Sequence, residues 1–249
     1  RVARAFTGRN KVLCCGYHGW HDWYIHVTPR KNGIPQAVQD LTYTFNYNDM
    51  ESLEQGLDEN TAAVILEPVV FEAPKDEFLH RLAERCKANG TLLIFDEMWT
   101  GFRMATGGAQ EHFGIKPDLA TYSKAIANGM PLAVLTGRAE VMNYFEDEVF
   151  FYTTFGGEAL SLAAAKATIE EIRANNVTGY MEAAGTRLRE GYNTICRELG
   201  IDFSSATGYG FRSLVTFSDS AGDPLLLKSL VQQELIRRGI LWSGFHNIS

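Results

Sequence analysis

No run of apolar residues in this 249-residue chain is long enough to cross a bilayer, so the sequence reads as soluble rather than as a helical membrane protein. No basic run appears either. The formal charge is −7 with acids and bases interspersed, which argues against non-specific nucleic-acid binding. Cysteine is scarce: Cys14, Cys15, Cys86 and Cys196 form no CxxC pair, and a chain of this size does not need disulfide staples. Reduced thiols and a cytoplasmic setting are expected. The cluster His18, His21 and His26 lacks zinc spacing to cysteine, so no metal site is expected. A dinucleotide fingerprint and a P-loop are missing as well; the nearest glycine pattern, Gly208-Tyr209-Gly210, is too short. There is no internal repeat and no low-complexity segment. Asn176-Val177-Thr178 and Asn247-Ile248-Ser249 match the glycosylation sequon, a pattern short enough to arise by chance. The initiator Met is also absent, and Arg1 opens what reads as a helix tail, "RVARAFTGR". A fragment is therefore expected, and the lack of a targeting peptide excludes nothing.

What is present is an alternation of short apolar runs with longer helical patterns. Lys11 to Cys15, Ala62 to Leu66, Leu92 to Phe95 and Leu119 to Tyr122 read as strands, each followed by turn or polar residues. Between the second and third, "DEFLHRLAERCKANG" places Phe78, Leu79, Leu82, Ala83 and Cys86 on one helical face, and Asn89-Gly90 closes it. Strand, helix, strand in this rhythm predicts an α/β domain with parallel pairing through right-handed crossovers. From about Glu158 helices dominate, over Ala159 to Arg173 and Tyr180 to Leu199, with Gly200 placed as a cap. "FRSLVTF" reads as a further strand, and Pro224 and Gly239 bracket a last helix. The organisation expected is a large domain over residues 1–172 and the start of a smaller α+β domain over 173–249.

In open parallel sheets the ligand lies beyond the carboxyl ends of the strands. The first strand delivers "GYHGWHDW" there, the second Glu67-Pro68, the third Asp96-Glu97 and the fourth Ser123-Lys124. An isolated loop lysine is usually just solvated. Lys124 is singled out by position, because an amine held among neighbouring groups can form a Schiff base. Adjacent parallel strands lie ~4.8 Å apart, so Asp96 and Lys124 would flank a flat ring. A carboxylate at one end and an amine at the other suit pyridoxal phosphate, with the aldehyde on Lys124 and the pyridine nitrogen on Asp96. Strand alternation sends Glu97 to the opposite face, where capping or bridging backbone is the expected role, with Arg103 as a possible salt-bridge partner, and returns Met98 to the face of Asp96. Tyr17, first after its strand, is the candidate for the opposite ring face. His18 reads as a hydrogen-bonded structural histidine, and Trp20 and Trp23 as local packing.

Four motifs in order, "YHGWHDW", "LLIFDEMWTGFR", "PDLATYSKAIANGMPLAVLTG" and "TTFGGEALSLAAA", resemble the class III aminotransferases, most closely their glutamate-1-semialdehyde aminomutase branch. The resemblance runs from Arg1 to at least Ala165. It implies a fold-type I pyridoxal-phosphate enzyme, usually a homodimer whose active sites are shared between subunits, acting on a small amino or keto substrate. By position it implies that Lys124 forms the internal aldimine, Asp96 meets the pyridine nitrogen, and Tyr17 and Met98 sandwich the ring. Thr154 falls where the family places a threonine that reaches the phosphate of the neighbouring subunit.

Three departures stand out. The Ser/Gly-rich phosphate loop of the family, upstream of "RVARAF", is not in this sequence; "GGEALS" replaces the commoner Gly-Gly-Asn-Pro and leaves Glu158 without a role; Met98 and Trp99 are bulkier than the usual residues. The expected function is amino-group transfer as an aminotransferase or aminomutase. A racemase would use the same groups, and a truncated, inactive remnant is the alternative from another class.

Overall fold

The computed structural model of the chain describes residues 1–244 and the backbone of residues 246–248. Two compact units emerge, Arg1–Val69 with Pro74–Glu171, and Val70–Ala73 with Ile172–Ser249. The larger unit is built on six strands: β1 (Lys11–Cys15), β2 (Thr42–Thr44), β3 (Thr61–Leu66), β4 (Leu92–Asp96), β5 (Leu119–Tyr122) and β6 (Val134–Gly137). Their order across the sheet is β2-β1-β3-β4-β5-β6. The first five run parallel, and β6 closes one edge antiparallel to β5.

Burial follows from the sequence of each strand. All six residues of β3 are buried, as a central parallel strand covered on both faces requires. Val64 and Leu66 join Leu13, Leu93 and Phe95 against Phe78, Leu79 and Leu82 of the helix Phe78–Asn89. Ala63, Leu92 and Leu119 pack on the other side with Val2 and Ala3 of the helix Val2–Thr7. Each large side chain buried in this way stabilises the fold by roughly 1.5–3 kcal/mol. The helix Phe78–Asn89 stops where Gly90 adopts φ 67 and its N–H reaches the Cys86 carbonyl, so this glycine uses a conformation other residues avoid.

The phase of the alternation in β4 decides what reaches the sheet edge. Leu93 and Phe95 point into one core, so Glu97 follows them inward and Asp96 faces the other way. Glu97 is fully buried. Its carboxylate accepts the N–H of Ala109 at 2.8 Å and of Gln110 at 2.9 Å, the first two residues of the helix Ala109–Phe113. It also accepts the hydroxyl of Thr100. The expected role of Glu97 in bridging backbone is what the structure contains. Burial pushes this carboxyl up, and its three donors work against that shift. Gly108 has φ 81 and lies so close to the Glu97 carboxylate that a Cβ there would collide with it.

The smaller unit holds β7 (Ser204–Tyr209), β8 (Arg212–Phe217) and β9 (His246–Ile248) in one antiparallel sheet. The helix Val177–Glu198 is tied to it by polar side chains. Asn193 brackets Ala206, donating to its carbonyl at 2.9 Å and accepting its N–H at 2.7 Å. Glu182 accepts the N–H groups of Gly210 and Phe211 at the β7–β8 turn. The helix Pro224–Arg237 begins with Asp223 capping Leu225 N–H and the proline in the first turn, as its sequence signal predicts. Asn176 of the first sequon precedes the helix Val177–Glu198 with φ 46. Ser249, which completes the second sequon, lies outside the described residues.

Replacing Glu97 by Ala leaves two helix N–H groups and one hydroxyl buried without an acceptor. Glu97→Ala is expected to lower unfolding free energy by about 1–3 kcal/mol, measured by urea denaturation. An unchanged midpoint would contradict the assigned role of this carboxylate.

Candidate functional site

The sheet changes direction of construction between β1 and β3, because β2 is added on one side of β1 and β4 to β6 follow β3 on the other. Such a switch point opens a crevice at the carboxyl ends of the strands. Gly16 leaves β1 with φ 104, and a side chain there would press on Glu67 at the end of β3. Glu67 is buried and accepts the Tyr17 N–H at 2.9 Å. Tyr24 donates its hydroxyl to the Gly16 carbonyl at 2.8 Å, and burial pushes that phenol up to about 12. The loop is therefore pinned from both sides, and it turns back across the strand ends.

That return delivers His18 to Asp96. Nδ1 of His18 lies 2.7 Å from Oδ2 of Asp96, with side-chain exposures of only 1% and 8%. Nε2 lies 3.2 Å from the Cys15 carbonyl. Trp23 stacks near the imidazole at 6.0 Å and Tyr24 meets it edge-on at 5.2 Å. The other Asp96 oxygen accepts the Met98 N–H at 3.1 Å and the Thr121 hydroxyl at 3.4 Å. Two strands and one loop thus orient a single carboxylate. The expected hydrogen-bonded histidine is what the structure contains, and the partner His18 bonds is Asp96.

On the neighbouring strand the register pairs Asp96 with Thr121. Lys124 follows three residues later, at the start of a short turn Lys124–Ile126. Its backbone has φ 48, a left-handed conformation that a lysine rarely adopts and that costs roughly 1–3 kcal/mol. The side chain is exposed, and Nζ lies 4.0 Å from the centroid of the Trp99 ring. Asp96 and Lys124 thus stand at the carboxyl ends of adjacent parallel strands, one buried and held, the other exposed and reachable.

The remaining candidates are placed less closely. The Tyr17 ring is 57% exposed and meets Tyr24 edge-on at 5.7 Å. Met98 is half-buried and its N–H serves Asp96. Thr154 stands exposed in a turn after the apolar run Phe150 to Tyr152. Glu158 now has a role: its carboxylate accepts the N–H groups of Leu160 and Ser161 at 2.7 and 2.8 Å, capping the helix Ala159–Asn175. These bonds hold its carboxyl below the usual range. Arg103 donates to the Trp99 carbonyl at 3.4 Å.

A mainly parallel sheet with a buried carboxylate and a reachable lysine at adjacent strand ends is the architecture of fold-type I pyridoxal-phosphate transferases, and solved members superimpose on the chain. The FumI protein of Sphingopyxis sp. MTA144, solved in its pyridoxal-phosphate internal aldimine form, matches with a TM-score of 0.89 at 29% identity, over 99% of this chain and 60% of that one. The chain belongs to the class-III aminotransferases, whose sequence profile matches residues 2–205. It is 35% identical to a 3-aminobutyryl-CoA aminotransferase of Cloacimonas acidaminovorans, across 99% of the chain and 61% of the relative. It is also 35% identical to a glutamate-1-semialdehyde 2,1-aminomutase of Methanococcoides burtonii, across 82% of the chain and 53% of the relative. The chain thus spans between half and two thirds of the length of these curated relatives. The family expected from the four motifs is borne out, and an aminomutase is among its relatives.

The residues present fit pyridoxal phosphate at two of its ends. The Asp96 carboxylate is oriented by three hydrogen-bond partners and suits a protonated ring nitrogen, while Lys124 offers a primary amine for the aldehyde. No group of histidines, cysteines and carboxylates that could hold a metal ion occurs among the described residues.

The buried His18–Asp96 pair makes a double-mutant cycle informative. Removing one partner leaves the other buried, so the double variant His18→Ala/Asp96→Ala is expected to destabilise less than the sum of the two single variants. Chemical denaturation should give a coupling of about 1–3 kcal/mol. Additive effects would show that the two side chains do not depend on one another.

Proposed function

We propose that this chain forms the cofactor-binding part of a pyridoxal-phosphate enzyme that transfers an amino group between small amino and keto compounds, as a transaminase or an aminomutase. The observation that carries this reading is the placement of Asp96 and Lys124 at adjacent strand ends, with His18, Met98 and Thr121 fixing the carboxylate. The two enzyme types named among its relatives support transfer over racemisation. In this reading residues 1–172 form the cofactor-binding domain and 173–249 begin the smaller one.

Bound pyridoxal phosphate supplies an aldehyde that condenses with amines and a ring that takes up the electron pair of a broken C–H bond. Asp96 would hold a proton on the ring nitrogen by a charge-assisted hydrogen bond. His18 keeps the carboxylate from turning away. Lys124 would hold the aldehyde through its amine, and Nζ, when not so engaged, would move a proton. Tyr17 and Met98 would border the ring, and Thr154 would serve the phosphate of a neighbouring subunit.

That last role requires a second copy. Phe150, Phe151, Tyr152 and Phe155 are 72–78% exposed around Thr154, an apolar surface that suits a homodimer with shared active sites. Among the described residues no helix is long and apolar enough to cross a membrane. The four cysteines are unbridged, and burial pushes Cys14, Cys15 and Cys86 up to about 12, which suits a reducing cytoplasm.

Borohydride reduction of the loaded protein should fix the cofactor on the peptide that contains Lys124, detected by mass spectrometry. Lys124→Ala should abolish that label and leave the fold intact. Labelling of a different lysine, or persistence of the label in the variant, would overturn the assignment. In the same assay Asp96→Ala should raise the cofactor dissociation constant by at least about tenfold, roughly the worth of one charge-assisted hydrogen bond.

A further inference from the structure

Position 99 carries a tryptophan whose indole face lies against the Lys124 amine. Nζ is 4.0 Å from the ring centroid, well inside the ~6 Å range over which a ring quadrupole attracts an ammonium. Trp99 is itself held. It follows the end of β4, it is half-buried, and Arg103 both donates to its carbonyl at 3.4 Å and lies 5.7 Å from its ring. Lys124 is exposed on a four-carbon stem, a side chain that carries about 2 kcal/mol of rotamer entropy. Its left-handed backbone fixes where the stem begins.

We propose that Trp99 is a positioning residue for Lys124, its ring face being the berth of the ammonium form whenever the amine is not covalently engaged. This rests on reading Lys124 as the cofactor-holding lysine. A ring face suits the task better than a carboxylate would. It favours the charged amine, yet it cannot accept a proton and offers no directional hydrogen bond that would lock Nζ in place. The amine can therefore take up a proton, stay near the strand ends, and give the proton back. Other charged or titratable groups at the strand ends include Arg103 on the same ring, Asp96 with His18 at the end of β4, and the buried Glu67, Glu97 and Tyr122.

The test reads Lys124 directly. Purified protein is treated with hydroxylamine to release any cofactor, then acetylated briefly near neutral pH. Mass spectrometry gives the labelling of Lys124 relative to the exposed lysines Lys87 and Lys116. Trp99→Leu should raise that ratio about threefold, the scale of one exposed cation–π contact, and Trp99→Phe should fall between the two. At about pH 11, above the ordinary lysine value of ~10.4, the difference should shrink to less than about half its size, because most of the amine is then unprotonated with or without the ring. Thermal melts identify any variant that has lost its fold, and Trp99→Phe then carries the comparison. An unchanged ratio near neutral pH would overturn the proposal. A difference that keeps more than about half its size at high pH would also overturn it, because the ring would then only shield the amine. If borohydride places the cofactor on another lysine, the function assigned to Lys124 fails while this ratio still reports the Trp99 contact.

Discussion

The site depends on one buried pair, His18 with Asp96. A carboxylate in this position, 6% exposed at the end of a parallel strand, is unstable unless its oxygens are satisfied. One oxygen takes the imidazole, and the other takes the Met98 N–H and the Thr121 hydroxyl. Those partners come from the β1 loop, the β4 end and β5. Most of the local structure can be read as the means of bringing them to one point. Gly16 allows the loop to leave β1, Glu67 and Tyr24 hold its backbone, and the aromatic neighbours enclose the imidazole.

The same stretch of β4 shows how a one-residue phase separates structure from chemistry. Asp96 and Glu97 are adjacent carboxylates with opposite duties. Glu97 continues the inward face of Leu93 and Phe95 and spends its oxygens on a helix start. Asp96 continues the other face and is left at the strand end with the β5 turn beside it. A slip of one residue would exchange them, placing the helix-capping carboxylate in the crevice and leaving the Ala109 and Gln110 N–H groups buried and unpaired. Packing of Leu93 and Phe95 is therefore what protects the register of the site.

Much of this was legible in the sequence. β1, β3, β4 and β5 announce themselves as apolar runs, and the opposite facing of Asp96 and Glu97 follows from strand alternation alone. Four strands were not anticipated, among them β9, only three residues long. β2 is three residues long with one buried, β6 is a half-buried edge, and β7, "SSATGY", is too polar to give a period-two hydrophobic signal. The contact of His18 with Asp96 spans 78 positions in sequence, and no local pattern encodes it. Trp99 stood out only as a bulky departure; its meeting with Lys124 depends on the strand pairing and on a left-handed turn that no propensity foretells. Glu158 was opaque because glutamate is an uncommon helix cap, although serine three residues on completes its bonding.

The central claim is that Asp96, held by His18, sets the protonation of a cofactor ring whose other end is held by Lys124. Nitrogen NMR of isotope-labelled pyridoxal phosphate bound to the protein reads that proton without relying on turnover. The ring nitrogen should be protonated in the native protein and lose that proton in Asp96→Asn, with the cofactor still attached to Lys124. A ring nitrogen in the same protonation state in both proteins would contradict the account.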